Sequence, residues 1–251
     1  MNNHLGAVCD EFYVSCRLHL KLEMAQEHEP ILRFFERVTR SFPSMRKLRR
    51  RDDGCVILEE DGRGRVPRRW LRVDPLSMRF GYYAVPDVQE VRAIAEVILE
   101  HAPYYLNFTP LNYDYIEVIY GFDLDYRGNH DQLLAETFWA EHPFAGLLMG
   151  EEAAHVVESQ PYLGIALNRD CDRQAYVEVK SRTSTFEVRT GEYEASPISI
   201  YLTVRQYCGF EGAAGLIETH HNLMDAADSL GVERVVPILV NPLAHAIAGR
   251  L

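Results

Sequence analysis

The stretch "EFYVSCRLHLKLEM", Glu11 to Met24, decides how the rest of the chain is read. Phe12, Val14, Cys16, Leu18, Leu20, Leu22 and Met24 alternate with Tyr13, Ser15, Arg17, His19, Lys21 and Glu23. Successive side chains of a strand point to opposite faces, so this period of two predicts a strand from Phe12 to Met24 with one face on a core and one face wet.

The neighbouring segments supply what such a strand packs against. Pro30 stands where a helix can begin, and Ile31, Phe34, Phe35, Val38 and Phe42 recur at helical spacing until Pro43 stops them. Two strands are expected around Met45 to Glu60 and Val66 to Ala84. Asp87-x-x-Glu90 then opens a second helix with side chains able to satisfy free N–H groups, and Val88, Val91, Ile94, Ala95 and Ile98 form its buried stripe. In the strand Tyr113 to Tyr126, Ile116, Val118, Tyr120, Phe122 and Leu124 share one face. Strand, helix, strand, strand, helix, strand is the order of the ferredoxin-like plait.

The second half predicts a helix around Asp131 to Glu141 and strands near Tyr162 to Asn168, Gln174 to Thr183, Thr185 to Arg189 and Pro197 to Tyr207. A long helix from Glu211 to Leu230, a short apolar strand "RVVPILV" (Arg234 to Val240) and a helix from Pro242 follow. Arg127-Gly128-Asn129 is the one good boundary, which divides the chain into 1–127 and 128–251. The expected fold is therefore α+β, two fused ferredoxin-like (β-α-β-β-α-β) halves with antiparallel sheets and helices packed on one face, acting as a common rigid unit.

Composition bounds the function. The 251 residues are 47% hydrophobic and 25% charged, with no run near the ~20 apolar residues that span a bilayer and no signal peptide. A cytoplasmic protein that does not enter a membrane is expected. Five cysteines, Cys9, Cys16, Cys55, Cys171 and Cys208, include no C-x-x-C pair and read as thiols of a reducing compartment. The net charge is -11, yet residues 37–72 hold 12 basic and five acidic residues, leaving the remainder at -18. "RKLRRR" (Arg46 to Arg51) and "RGRVPRRWLR" (Arg63 to Arg72) bracket the turn signal Asp61-Gly62 and suggest a basic hairpin. Arg46, Lys47, Arg49, Arg50, Arg51, Arg68 and Arg69 would then be its binding residues. The plain alternative is a solvated strand pair neutralised by the acidic body.

Candidate chemistry is sparse. In "DCDRQAYVEVKSR" the alternation puts Tyr176, Glu178, Lys180 and Arg182 on one face, and with Asp170 or Asp172 just upstream the pattern is similar to the D…E-x-K of restriction-endonuclease-like nucleases. That resemblance implies Asp172 and Glu178 as Mg²⁺ ligands and Lys180 as the amine that activates water. More strand, where that family has a helix, is expected after Lys180, and alternating charges are ordinary on the wet face of a meander. His220 falls in the apolar stripe of its helix beside Leu216, Ile217, Leu223 and Met224, while His221 points to the polar side with Glu218 and Asp225. Glu151, Glu152 and Glu158 lie within helical reach of His155, and Asp123 and Asp125 pair on a strand end. Neither set completes a metal motif. No phosphate-binding glycine loop or G-x-S-x-G elbow occurs.

The opening strand, "ERVTRSFP", the "RRWLRVDP…MRF" strand, "YDYIEVIYGFDLDY" and "GLIETHHNLMDAA" together resemble a sporadically distributed, uncharacterised bacterial protein family of about this size. The resemblance implies no activity and no site residue. Charge and pattern favour a non-catalytic intracellular accessory protein with a protein partner, nucleic acid being the second partner class through the basic hairpin. The Mg²⁺-dependent nuclease is the enzymatic alternative. The oligomeric state is left open.

Overall fold

The computed structural model describes residues 5–24, 27–62, 64–147, 155–207 and 212–250, with the side chains of 212–214 left out. Nine strands form one antiparallel sheet: β1 Glu11–Leu20, β2 Met45–Arg50, β3 Val56–Glu60, β4 Arg68–Asp74, β5 Ser77–Tyr83, β6 Tyr113–Tyr126, β7 Tyr162–Ala166, β8 Arg173–Lys180 and β9 Ser196–Tyr207. Their order is β2-β3-β4-β5-β1-β6-β9-β8-β7. The α+β class is as expected, but both halves share one sheet, because β9 of the second half pairs along its full length with Tyr115 to Tyr126 of β6 of the first.

The opening alternation places β1 at the centre of this sheet. Phe12, Val14, Cys16, Leu18 and Leu20 are buried, and β1 is hydrogen-bonded to β5 on one side and β6 on the other. The strand ends sooner than predicted. Its register with β6 shifts between His19 and Leu20, and Leu22 is exposed although Met24 is buried again.

Each of the two strands expected between the first helices is a hairpin. In the first, Gly54 takes φ +84, a left-handed conformation that glycine adopts without steric cost, and it closes the turn between β2 and β3. The basic segments therefore do not pair with each other. The chain separates β2 from β4 by β3, whose Glu59 and Glu60 lie between the two sets of arginines.

Helices α1 His28–Ser41, α2 Val88–Tyr105 and α5 Gly212–Leu230 pack on the apolar face of the sheet. Asp87 caps α2 as expected, accepting from the Gln89 N–H at 2.9 Å. Ile31, Phe34, Phe35 and Val38 of α1, and Val91, Ile94, Ala95 and Ile98 of α2, join the core that Phe12, Leu18 and Leu20 begin. A further helix, α3 His130–Phe138, has its N-cap at Asn129.

Two predicted strands are helical. Thr185–Thr190 forms α4, because Ser184 and Glu187 make a reciprocal capping box that ties down both free ends of its first turn. Gly231–Val240, containing "RVVPILV", is a π-helical segment that joins α5 to α6 Asn241–Ala248. The wider π turn leaves room for the ring of Pro237, which lacks an N–H and would crowd the preceding turn of an α-helix. The resulting helix, Gly215–Ala248, is long and apolar enough by length and composition to cross a membrane, contrary to the sequence estimate. Here it lies along the sheet, with Leu216, Leu223, Met224, Ala227, Val235, Val240 and Leu243 buried.

Candidate functional site

All three long helices pack on one face, so the polar members of each strand's alternation form the other. Cross-strand register aligns them in rows. One row runs Arg72, Arg79, Arg17, Glu117, Arg205, Gln174 over β4, β5, β1, β6, β9 and β8. The next but one runs Arg68, Tyr83, Tyr13, Gly121, Tyr201, Glu178 over the same strands.

The arginine row concentrates like charges on adjacent strands. Arg72, Arg79 and Arg17 are directly opposite one another on adjacent strands, an arrangement that destabilises a sheet. Burial, followed by repulsion from Arg17, lowers the pKa of Arg79. The balancing carboxylates sit deep. Glu117 is 2% exposed, whereas Arg17 and Arg205 above it are 24% and 22% exposed. Arg205 donates Nε and Nη2 to the same Glu117 oxygen at 2.8 and 2.6 Å, and Arg17 Nη1 lies 3.3 Å from the other oxygen. Arg72 grips Asp74 through Nε and Nη2 at 2.9 and 2.7 Å. The solvent-facing layer is thus guanidinium, with anions beneath.

Aromatic rings hold these groups apart. Arg205 packs over Tyr115 at 4.2 Å, with Tyr176 and Tyr207 at 5.3 and 5.5 Å. Burial opposes its charge, but the Tyr207 hydroxyl and Glu117 more than restore it and raise its pKa. His19 stacks on Tyr115 with centroids 4.8 Å apart. In the tyrosine row Tyr13 lies 5.6 Å from Tyr83 and 6.3 Å from Tyr201, and Trp70 lies 5.9 Å from Tyr83. Glycine makes this possible, because a Cβ at Gly121 would stand 2.2 Å from the Tyr13 ring. The ring therefore lies across β6.

The seven residues expected to form a basic arm are divided by this geometry. Lys47, Arg49 and Arg68 belong to the open face: Lys47 and Arg49 are paired with Glu59, and Arg68 lies 4.8 Å over Tyr83. Arg69 points to the helix side, where it is tied to Glu60 at 2.8 Å and to Glu90 and covers Tyr82 at 4.7 Å. Arg50 shares the row of Val56, Val73 and Met78 on that same side, at its exposed edge. Arg46 donates to the Pro43 carbonyl at 2.5 Å, and Arg51 sits exposed in the β2–β3 turn.

The nuclease residues are placed apart. Asp172 precedes β8 and Glu178 lies six residues on, about 20 Å along an extended chain, where two ligands of one ion need to be within ~5 Å. Asp172 instead accepts from Asn168. Lys180 pairs with Glu178 at 3.2 Å and lies 5.7 Å from the Tyr201 ring. The helix α4 after this strand does match the nuclease order, contrary to the expected run of strand. Among the described residues no group of three potential ligands stands close enough to hold a metal ion.

Of the other motifs, His220 is fully buried, 6.2 Å from Phe80, and His221 pairs with Glu96 of α2 at 3.3 Å rather than with its own helix. Glu151 and Glu152 lie outside the described residues, as does Cys208, and His155 is in neither a helix nor a strand. Asp123 and Asp125 do share a strand end, where Arg65 pairs with Asp125.

The sequence reading missed the open face as a unit because its members are far apart in the chain. The available signal was the polar half of each alternation, in particular Tyr13, Arg17 and His19 in β1 and Tyr201 and Arg205 in β9. No protein-family model, curated protein or solved structure matches the chain.

Proposed function

We propose that the protein is a non-catalytic intracellular binding protein whose open sheet face docks a single-stranded nucleic acid. The observation that carries this reading is the row of four arginines beside half-buried tyrosine and tryptophan rings on a sheet face crossed by none of the long helices. Phosphates supply anions on the solvent side of a row whose own carboxylates lie beneath it, and bases stack on aromatic side chains for about 1–3 kcal/mol each. A duplex is disfavoured, because a broad flat sheet enters neither groove and paired bases hide their faces. The net charge of -11 keeps binding local to this face.

In the same reading the first half is a plait enlarged by one hairpin. β6, β1, β5 and β4 occupy the order of a plait's fourth, first, third and second strands, and β2 and β3 extend the sheet. A plait whose uncovered sheet carries aromatic rings is a suitable platform for unpaired bases.

The test is fluorescence anisotropy with a labelled 15-mer of single-stranded RNA or DNA at several salt concentrations. Arg79→Gln, which removes the most exposed guanidinium in the centre of the row, is expected to weaken binding about tenfold. It should also reduce the slope of log K against log salt by about 0.7, one phosphate contact for a single strand. Binding of an acidic polypeptide in place of the oligonucleotide would support instead the protein partner expected from the sequence.

A further inference from the structure

At one end of the tyrosine row the open face deepens into a cavity of about 510 Å³ lined by Glu11, Tyr13, Arg65, Arg68, Tyr83 and Asp123. Its walls and floor have different chemistry. Tyr13 and Tyr83 provide the aromatic surface, with Arg68 stacked over Tyr83 at 4.8 Å. Glu11 and Asp123 are directly opposite each other on β1 and β6, so two carboxylates face one space. Such a pair is unfavourable unless donors lie between them. Arg65 supplies only part of what is needed: it pairs with Asp125 and stays 4.0 Å from both Asp10 and Glu11. Asp123 Oδ1 is buried and has no hydrogen-bond partner among the described residues, Ser199 being the hydrogen-bond partner of the same carboxyl group. Burial raises the pKa of both carboxyls, with the charge of Asp123 adding to the rise at Glu11 and that of Asp125 adding to it at Asp123, while Ser199 and Arg182 favour the ionised form of Asp123.

An orphaned acceptor beside a second acceptor, under a pair of rings and next to two arginines, defines a planar ligand. It must present two adjacent N–H donors on one edge and carry an anion. Among the bases this selects guanine, whose N1–H and N2–H₂ are adjacent. Adenine and cytosine place a ring-nitrogen acceptor beside their amino group, and uracil places one donor between two carbonyls. Either arrangement would leave a carboxylate facing a lone pair, and a site built to accept from two donors rejects ligands that lack one.

We infer that this cavity holds a guanine of the bound strand, stacked against Tyr13 and Tyr83 and read by Asp123 with Glu11, while Arg65 and Arg68 receive its phosphate. This rests on the single-strand reading above and adds a base preference to it.

Two titrations separate the claims. In the first, uridine 9-mers carrying one central guanine, adenine or cytosine are compared by anisotropy. The guanine strand is expected to bind at least tenfold more tightly, and Asp123→Asn, which keeps the shape and replaces an acceptor by a donor, should collapse that ratio to about one. Thermal melts establish that the variant is folded, and Glu11→Gln should reduce the same ratio by an independent route. Equal affinity of the wild type for all three strands, or a ratio that survives Asp123→Asn, overturns the guanine pocket and leaves the platform intact. In the second, guanosine 5′-monophosphate is titrated while the fluorescence of Trp70, 5.9 Å from Tyr83, is followed. Saturable quenching by this nucleotide and not by the uridine or adenine analogue supports the pocket even if no strand binds. Absence of quenching by guanosine 5′-monophosphate refutes the pocket independently of the strand comparison.

Discussion

His220 offers the sharpest test of how the core is built. It is fully buried on α5, and neither ring nitrogen has a hydrogen-bond partner among the described residues. Burial, followed by the nearby charges of His221 and Arg92, lowers its pKa from 6.5 to about 3. The folded chain therefore holds a neutral imidazole where the unfolded chain takes a proton below pH 6.5. For a group whose folded pKa is depressed in this way, stability is complete above pH 6.5 and is lost as the pH falls. The loss is about 1.4 kcal/mol per pH unit, or close to 3 kcal/mol between pH 6.5 and pH 4.5. His220→Leu fills a similar volume with no polar atoms. At pH 7.5 it removes two unsatisfied nitrogens, each expected to cost about 1–3 kcal/mol. Urea unfolding followed by circular dichroism at pH 7.5 and pH 4.5 measures both effects. The variant should be the more stable at both values, with its advantage growing by about 3 kcal/mol at the lower pH. An advantage that does not change with pH would refute the buried neutral histidine, and a loss of stability at pH 7.5 would mean that its nitrogens are bonded.

Two further substitutions separate the architecture of the open face from its use. Glu117→Gln breaks the buried clamp that holds Arg17 and Arg205, and differential scanning calorimetry should register a loss of about 3 kcal/mol, or ~6–12 °C in a chain of this size. An unchanged melting temperature would show that the arginines do not depend on that carboxylate. Gly121→Ala puts a methyl group where the Tyr13 ring lies, so the ring must swing away. Oligonucleotide affinity should fall while unfolding stays cooperative, and full affinity would remove Tyr13 from the platform.

The fold was legible where a single strand or helix carries its own pattern. The alternation of β1 from Phe12 to Leu20 and the stripes Ile31, Phe34, Phe35 and Val38 of α1 and Val91, Ile94, Ala95 and Ile98 of α2 are set by local burial, although Leu22 is exposed and α2 also buries Leu99 and Ala102. Errors came where local chemistry outweighs propensity. Thr185, Phe186 and Val188 suit a strand, but the Ser184–Glu187 capping box makes the segment helical. The apolar run after Arg234 has the composition of a strand and the helical continuation of α5. Asp52-Asp53-Gly54 was a turn signal inside what looked like one long strand. The open face was illegible for a different reason. Arg17, Arg72, Arg79 and Arg205 become neighbours only through strand order and register, which no local window contains. A charge count along the chain instead groups Arg49, Arg50 and Arg69, although they divide between the two faces of the sheet.

The central claim is that nucleic acid lies across the open face, and photo-crosslinking tests it most directly. A single-stranded oligonucleotide carrying 4-thiouridine would be bound, irradiated and digested, and the adducts located by mass spectrometry. Adducts on Tyr13, Trp70, Tyr83 and Tyr201 are predicted, all on one face of the sheet and lost at high salt. Adducts confined to α1, α2 or α5, or none at saturating oligonucleotide, would contradict it.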